Sequence, residues 1–188
     1  MIEPVRDRGR RFRRSPCAPA APSGEGRVFW ITGLPAAGKT TIGERLFAAL
    51  RRAHLNSVLL DGDTLRNVFE HDLGYALEDR RRCARRYARL AAMLAAQGLQ
   101  VVVATVSMFE DVRRWNRHHL PGYVEVYVRA PLALRRGRAP ALYAGTAVPG
   151  IDLDAELPAD PDLAIDNDGS TALETIVAAI AERAGLRL

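Results

Sequence analysis

Residues 33–40 read GLPAAGKT, between the apolar run RVFWIT and the helix-like run TIGERLFAAL. This octapeptide meets the G-x-x-x-x-G-K-[ST] spacing of a phosphate-binding loop, in the context of strand, loop and helix that such a loop requires. A turn that only reverses the chain needs neither a lysine nor a hydroxyl after its last glycine. The motif therefore predicts a strand, an anion-binding loop and a helix at the start of an α/β domain.

Each part of the motif has a physical role in this interpretation. Backbone N–H groups of the loop and the helix N-terminus surround a polyphosphate, and the glycines let the backbone curl closely around it. Lys39 reaches the β- and γ-phosphates, and the Thr40 hydroxyl binds Mg²⁺. Of 27 basic residues, Lys39 is the only lysine, and a compact ammonium fits between phosphates better than a guanidinium does. The predicted nucleotide-binding residues are Gly33, Leu34, Pro35, Ala36, Ala37, Gly38, Lys39, Thr40 and Thr41.

Strand and helix patterns alternate from residue 27 onward. RVFWIT, SVLL, LQVVVATVS, VEVYVRA and DLAID read as strands, while TIGERLFAALRRA, residues 77–97 and TALETIVAAIAERA read as helices. Near-continuous apolar strands in such alternation predict a mostly parallel sheet covered on both faces, an α/β fold spanning residues 27–188. Residues 135–160 are irregular and are expected to form a mobile lid.

Composition narrows the class of protein. No apolar run reaches the roughly 18 residues of a membrane span, and no apolar signal core is present at the N-terminus, which indicates a cytoplasmic protein. Cys17 and Cys83 lack metal-ligand spacing and are expected to be unpaired thiols. Residues 1–26 carry six arginines among prolines and alanines and are expected to be a disordered arm. Nucleic-acid binding by this arm is disfavoured because Phe12 is its only aromatic residue.

A pair of carboxylates follows the second strand, in the stretch LLDGDTLR. Asp61 and Asp63 flank Gly62 at the carboxyl end of that strand, where open α/β sheets bind ligands. Two carboxylates there can hold Mg²⁺-bound water or accept a proton from an attacking hydroxyl. The alternative is that one of them only caps a helix beginning near Thr64.

Arginines and one aromatic residue lie farther along the chain. Arg66 and Arg80 are expected near the same sheet edge, and guanidinium groups suit bidentate recognition of phosphate or sulfate. The neighbouring Arg81, Arg82, Arg85 and Arg86 cannot all face one ligand, so solvated positions are expected among them. For Tyr75, stacking on a substrate ring and simple packing both remain open.

Five motifs in order, GLPAAGKTT, LLDGDTLR, DLGYALEDR, the strand ending VATVS, and EVYVRAPL, resemble the adenylylsulfate (APS) kinase family. The resemblance implies a three-layer P-loop α/β/α domain that uses ATP to phosphorylate the 3′-hydroxyl of adenylyl sulfate, and a homodimer. It also implies Asp63 as the proton acceptor, with Lys39 beside it in catalysis, and Asp61 with Thr40 at Mg²⁺. The implied substrate-binding residues are Asp61, Arg66, Tyr75, Arg80, Val106, Ser107 and Leu142.

The departures from the family pattern all fall on the acceptor side. Cys83 replaces an asparagine, Met108 replaces the proline of an I-S-P turn, and the lid RRGRAPALYAGTA lacks the family's lysine. Arg135, Arg136 and Arg138 are candidates to replace the lid charge. A kinase of another small-molecule alcohol therefore remains an alternative, as does a nucleotide-binding module without catalytic activity.

Overall fold

The computed structural model describes residues 25–188, and its centre is one five-stranded parallel sheet. The strands lie in the order β2-β3-β1-β4-β5, and every pairing between neighbours is parallel. Because all strands run in one direction, their carboxyl ends form a single edge. The strands are β1 (Arg27–Thr32), β2 (Ser57–Asp61), β3 (Gln100–Thr105), β4 (Tyr123–Arg129) and β5 (Leu163–Asp166).

Seven helices connect or follow these strands in the described residues. They are α1 (Lys39–Arg52), α2 (Gly62–Val68), α3 (Leu77–Ala95), α4 (Glu110–His119), α5 (Leu132–Arg138), α6 (Pro140–Tyr143) and α7 (Leu173–Arg183). None of them is long and apolar enough to cross a membrane.

The sheet separates two apolar cores. On one face α3 and α4 pack over side chains that include Val28, Trp30 and Val103. On the other face α1 and α7 pack over side chains that include Phe29 and Ile31. Since successive side chains of a strand point to opposite faces, a strand buried on both must be apolar throughout, which is why RVFWIT has no alternation. The three-layer α/β/α arrangement expected from the sequence is confirmed.

Most predicted elements lie within two residues of their expected bounds. The first helix buries Ile42, Leu46 and Leu50 as its periodicity indicates. The long helix ends at Ala95, shortly before Gly98, which has a φ of 84° and stops it. The helix expected near Thr64 begins two residues earlier, at Gly62.

Two parts of the prediction differ from the structure. The helix α4 was not predicted, because its sequence EDVRRWNRHH is strongly polar and buries mainly Val112, Arg113 and Asn116. The lid region was expected to be irregular, yet its first part forms the short helices α5 and α6. The proposed arm lies outside the described residues except at its end, where the Glu25 carbonyl accepts a hydrogen bond from the Gln100 side chain at 3.1 Å.

Candidate active site

The loop between β1 and α1 begins the site. Lys39 is the first residue of α1 and is only 8% exposed, and its Nζ donates to the Leu34 carbonyl at 2.9 Å. Gly38 precedes it with a φ of 102°, in the left-handed region that favours glycine. The loop thus curls back on itself and is closed by the hydrogen bond from the Lys39 ammonium to the Leu34 carbonyl. A bound phosphate would take the place of that carbonyl as the acceptor.

Burial has a large effect on this lysine. It lowers the pKa of Lys39 from 10.5 to about 8, because a charged ammonium loses hydration there. The carboxylates of Asp63 and Asp61 oppose the shift, while Arg135 adds to it. Asp61, Asp63 and the lid residue Arg135 therefore lie close enough to Lys39 to change its pKa.

The acidic turn after β2 lies beside the loop. One carboxylate oxygen of Asp61 accepts a hydrogen bond from the Thr40 hydroxyl at 2.9 Å. The other oxygen accepts from the backbone N–H of Asp63 at 3.0 Å and of Thr64 at 3.1 Å, which caps α2. The capping alternative is therefore correct for Asp61, but the same carboxylate also contacts the phosphate-loop threonine. Among the described residues, no protein group hydrogen-bonds to the carboxylate of Asp63.

Two guanidinium groups surround the Tyr75 ring on the acceptor side. The guanidinium carbon of Arg66 lies 4.4 Å from the ring centroid and that of Arg80 lies 5.2 Å from it. Arg66 Nη1 donates to the carbonyls of Leu73 and Gly74, each at 3.1 Å, and Arg80 Nε donates to the Tyr75 carbonyl at 2.7 Å. Burial and the neighbouring Arg66 charge lower the pKa of Arg80. Two cations held this close favour an anion between or beside them.

These groups line one cavity of about 810 Å³ at the carboxyl edge of the sheet. The end of β3 adds Val106, Ser107 and Met108, and α3 adds Cys83 and Tyr87. Cys83 is a buried free thiol. The Ser107 hydroxyl is buried and has no hydrogen-bond partner among the described residues, so it is available to a ligand that enters.

The lid region contacts the phosphate loop directly. The Tyr143 hydroxyl donates to the Pro35 carbonyl at 2.8 Å, and Arg138 Nη1 donates to the Ala36 carbonyl at 3.4 Å. Asn167, just after β5, donates from Nδ2 to the Ala37 carbonyl at 2.8 Å. Arg138 is thus the lid arginine that reaches the loop, while Arg135 bonds to Tyr143. Asn167 was not among the predicted site residues, although its place after the last strand puts it at the same sheet edge.

The turn at residues 147–155 closes the far side of the cavity and is anchored by Glu156. One Glu156 carboxylate oxygen accepts from the Glu110 N–H at 2.5 Å, at the start of α4, and the other pairs with Arg81 at 3.4 Å. The Glu156 carbonyl accepts from Arg113 at 2.7 Å. Nothing in the sequence pattern indicated this anchor, because its partners are distant in the chain.

Most sequence-predicted site residues come together. Lys39, Asp61, Asp63, Arg66 and Arg80 line the cavity, and so do the residues listed next. They are Pro35, Ala36, Gly38, Thr40, Thr41, Tyr75, Val106, Ser107 and Leu142. Gly33, Leu34 and Ala37 belong to the same loop but do not line the cavity.

Several arginines of α3 form ion pairs with other parts of the chain and do not line the cavity, as expected from their consecutive positions. Arg81 and Arg85 pair with Asp111 of α4, each at 2.8 Å, and Arg86 pairs with Asp72 at 2.7 Å. None of these ion-paired residues lines the cavity.

Comparison with known proteins gives the same family on sequence and on structure. Residues 25–166 match the family model described as adenylylsulphate kinase. The adenylyl-sulfate kinase of Paraburkholderia xenovorans is 39% identical over 76% of this chain and 84% of its own. The cytidine diphosphoramidate kinase of Campylobacter jejuni is 34% identical over 85% of this chain and 96% of its own.

A solved structure agrees with these relatives. The Mycobacterium tuberculosis APS kinase CysC, in complex with AMPPNP and APS, superposes with a TM-score of 0.78 at 27% identity, covering 85% of this chain and 98% of that chain. The sequence matches and the structural match thus indicate the same family for the chain that carries the phosphate loop, the acidic turn and the arginine pair. The chain belongs to the adenylylsulphate kinase family.

Proposed function

We propose that this protein transfers the γ-phosphoryl group of ATP to the 3′-hydroxyl of adenylyl sulfate. The observation that carries the proposal is the convergence of a buried ammonium, two carboxylates and two guanidinium groups on one cavity next to a phosphate loop. The family supports the same reaction, since relatives across most of this chain's length are named adenylyl-sulfate kinases.

The donor half of the reaction uses the phosphate loop. The loop N–H groups and the α1 N-terminus bind the phosphates of ATP, and Lys39 exchanges the Leu34 carbonyl for β- and γ-phosphate oxygens. The Thr40 hydroxyl and the Asp61 carboxylate, 2.9 Å apart, are hard oxygen donors of the kind Mg²⁺ prefers. When bound there, Mg²⁺ supplies neutralisation of the phosphate charge.

The acceptor half uses the acidic turn and the arginine pair. Asp63 accepts the proton as the acceptor oxygen attacks the γ-phosphorus, the bond from that phosphorus to the β–γ bridging oxygen breaks, and ADP leaves. Arg66 and Arg80 bind the acceptor's anionic group, and Tyr75 lies beside them to contact its base. The unpartnered Ser107 hydroxyl donates or accepts one further hydrogen bond to the acceptor.

A second acceptor has a specific observation in its favour. Cys83 lines the cavity where the resemblance expects an asparagine, so the amide hydrogen bonds of that residue are lost. The Campylobacter jejuni relative carries a different acceptor in its name, cytidine diphosphoramidate. The second candidate is therefore another nucleotide with an anionic group on its phosphate, phosphorylated by the same donor machinery.

An acceptor panel tests the proposal. ADP release is measured with saturating MgATP and, in turn, adenylyl sulfate, cytidine diphosphoramidate, AMP and CDP. The proposal predicts the highest kcat/KM with adenylyl sulfate, and detection of a 3′-phosphorylated product. Turnover with cytidine diphosphoramidate and none with adenylyl sulfate would select the second candidate. ADP release with none of the four acceptors would refute both candidate functions.

A further inference from the structure

A buried tyrosine on α3 is tied to the middle of the acidic turn. Tyr87 is 3% exposed, and its hydroxyl donates to the Gly62 carbonyl at 3.1 Å. Gly62 is the residue between Asp61 and Asp63. The hydrogen bond therefore joins the long helix that covers one face of the sheet to the peptide that carries both carboxylates.

The Gly62 backbone also packs closely against the end of β3. A Cβ atom on Gly62 would lie 3.2 Å from Thr105 Oγ1 and 3.4 Å from the Ala104 carbonyl, at the end of β3. Tyr87 is itself fixed, because its ring stacks on Phe69 with centroids 6.3 Å apart and planes at 12°. The turn thus contacts both the end of a central strand and a buried aromatic side chain.

The two carboxylates differ in how much support they receive directly. Asp61 is held by the Thr40 hydroxyl and by two N–H groups of α2. No described residue hydrogen-bonds to the Asp63 carboxylate, so its direction depends on the backbone that carries it. That backbone is fixed at Gly62 by the Tyr87 hydroxyl.

We infer that Tyr87 is a positioning residue, whose hydroxyl fixes the Gly62 peptide and thereby aims the Asp63 carboxylate at the acceptor hydroxyl. The inference rests on the proposed function, in which Asp63 receives the acceptor proton. Burial and the Cys83 thiol raise the pKa of Tyr87 well above its usual value. The phenol therefore remains a hydrogen-bond donor throughout the pH range of a kinase assay.

The test is Tyr87→Phe, which removes the hydroxyl and keeps the ring on Phe69. Because small displacements of a catalytic group have large effects on rate, kcat is expected to fall about tenfold. The KM values for ATP and for the acceptor are expected to stay within about twofold, since the bond contacts neither ligand. The matched control is Tyr123→Phe on β4, whose buried hydroxyl has no hydrogen-bond partner among the described residues, and its kcat should equal that of the wild type.

A double-mutant cycle separates positioning from a general loss of structure. If Tyr87 acts through Asp63, adding Tyr87→Phe to Asp63→Asn lowers kcat no further. A wild-type kcat for Tyr87→Phe, or an equal fall in the Asp63→Asn background, overturns the inference. Should Tyr87→Phe fail to fold, Gly62→Ala displaces the same peptide from the Thr105 side, and a wild-type kcat for it overturns the inference as well.

The proposed function and the role of Tyr87 fail in different measurements. Absence of turnover by the wild type with adenylyl sulfate overturns the proposed function, whereas wild-type turnover by Asp63→Asn overturns only the proposed role of Asp63. Loss of turnover by Asp63→Asn together with unchanged kcat in Tyr87→Phe overturns only the positioning role of Tyr87.

Discussion

The buried ammonium of Lys39 makes nucleotide binding depend on pH. The pKa of this lysine is about 8 in the folded protein, against 10.5 without burial. At pH 9 about nine-tenths of the unliganded protein therefore holds Lys39 neutral. Phosphate binding needs the charged form, so ATP must bind together with a proton that the free protein lacks at that pH.

The size of the effect follows from the two ionisation states. If ATP holds Lys39 fully protonated, the Kd for the nucleotide rises by about tenfold between pH 7 and pH 9. Binding at pH 9 takes up about 0.9 proton per nucleotide, whereas binding at pH 7 takes up about 0.1. The sign is set by the lowered pKa, because the proton is missing only before the anion arrives.

Isothermal titration calorimetry with a non-hydrolysable ATP analogue measures both quantities. Titrations at pH 9 in two buffers of different ionisation enthalpy give the proton uptake directly. Lys39→Met supplies the control, since its weak binding should show no comparable uptake. Tight binding by the wild type at pH 9 without proton uptake would contradict this prediction, because it would mean that Lys39 is already charged in the free protein.

Three further results are expected. Between pH 8 and 10.5 the unfolded chain binds up to one more proton than the folded one at Lys39, so the free energy of unfolding of the wild type, minus that of Lys39→Met, should rise with pH in denaturant titrations and not fall. Gly38→Ala should weaken ATP binding about tenfold or more, because a Cβ there would lie 2.2 Å from Asn167 Nδ2 at a φ of 102°. The control is Gly185→Ala, which should bind ATP normally, because Gly185 has a φ of 69° but open space around it. Equal Kd values for the two variants would contradict the prediction for Gly38. Glu156→Ala should raise the acceptor KM about fivefold with an unchanged KM for ATP, because it removes the carboxylate contacts that join the 147–155 turn to Glu110 and Arg81. Asp111→Ala, which also removes a partner of Arg81, should leave both KM values unchanged. An equal rise in both variants would assign the effect to the ion pairs in general.

The strand and helix assignments could be predicted because the sheet is buried on both faces. A short continuous apolar run such as RVFWIT is typical of a strand that is buried on both faces. Glycines with a positive φ mark the ends of helices, as Gly98 does after α3. The helix α4 lacks such a signal, since its buried positions include Arg113 and Asn116. Tertiary ion pairs, such as the 3.2 Å contact of Arg113 with Glu125, compensate for that polarity.

The donor side of the site was predictable because its residues are close in sequence. The loop fixes Lys39 and Thr40 by local geometry, and the parallel sheet brings Asp61 to them. The supporting contacts of Tyr87 with Gly62, and of Glu156 with Glu110, join residues 25 and 46 positions apart. Such contacts depend on how the helices pack against the sheet, and no pattern in a single sequence predicts them.

Single-turnover transfer measures the role of Asp63 most directly. With enzyme and MgATP in excess over adenylyl sulfate, the wild-type protein is expected to form the 3′-phosphorylated product, and Asp63→Asn is expected to form it about 10² to 10⁴ times more slowly. ATP binding by this variant should remain close to that of the wild type. Transfer by Asp63→Asn at the wild-type rate, with ATP bound equally well, would contradict the claim that this carboxylate receives the acceptor proton.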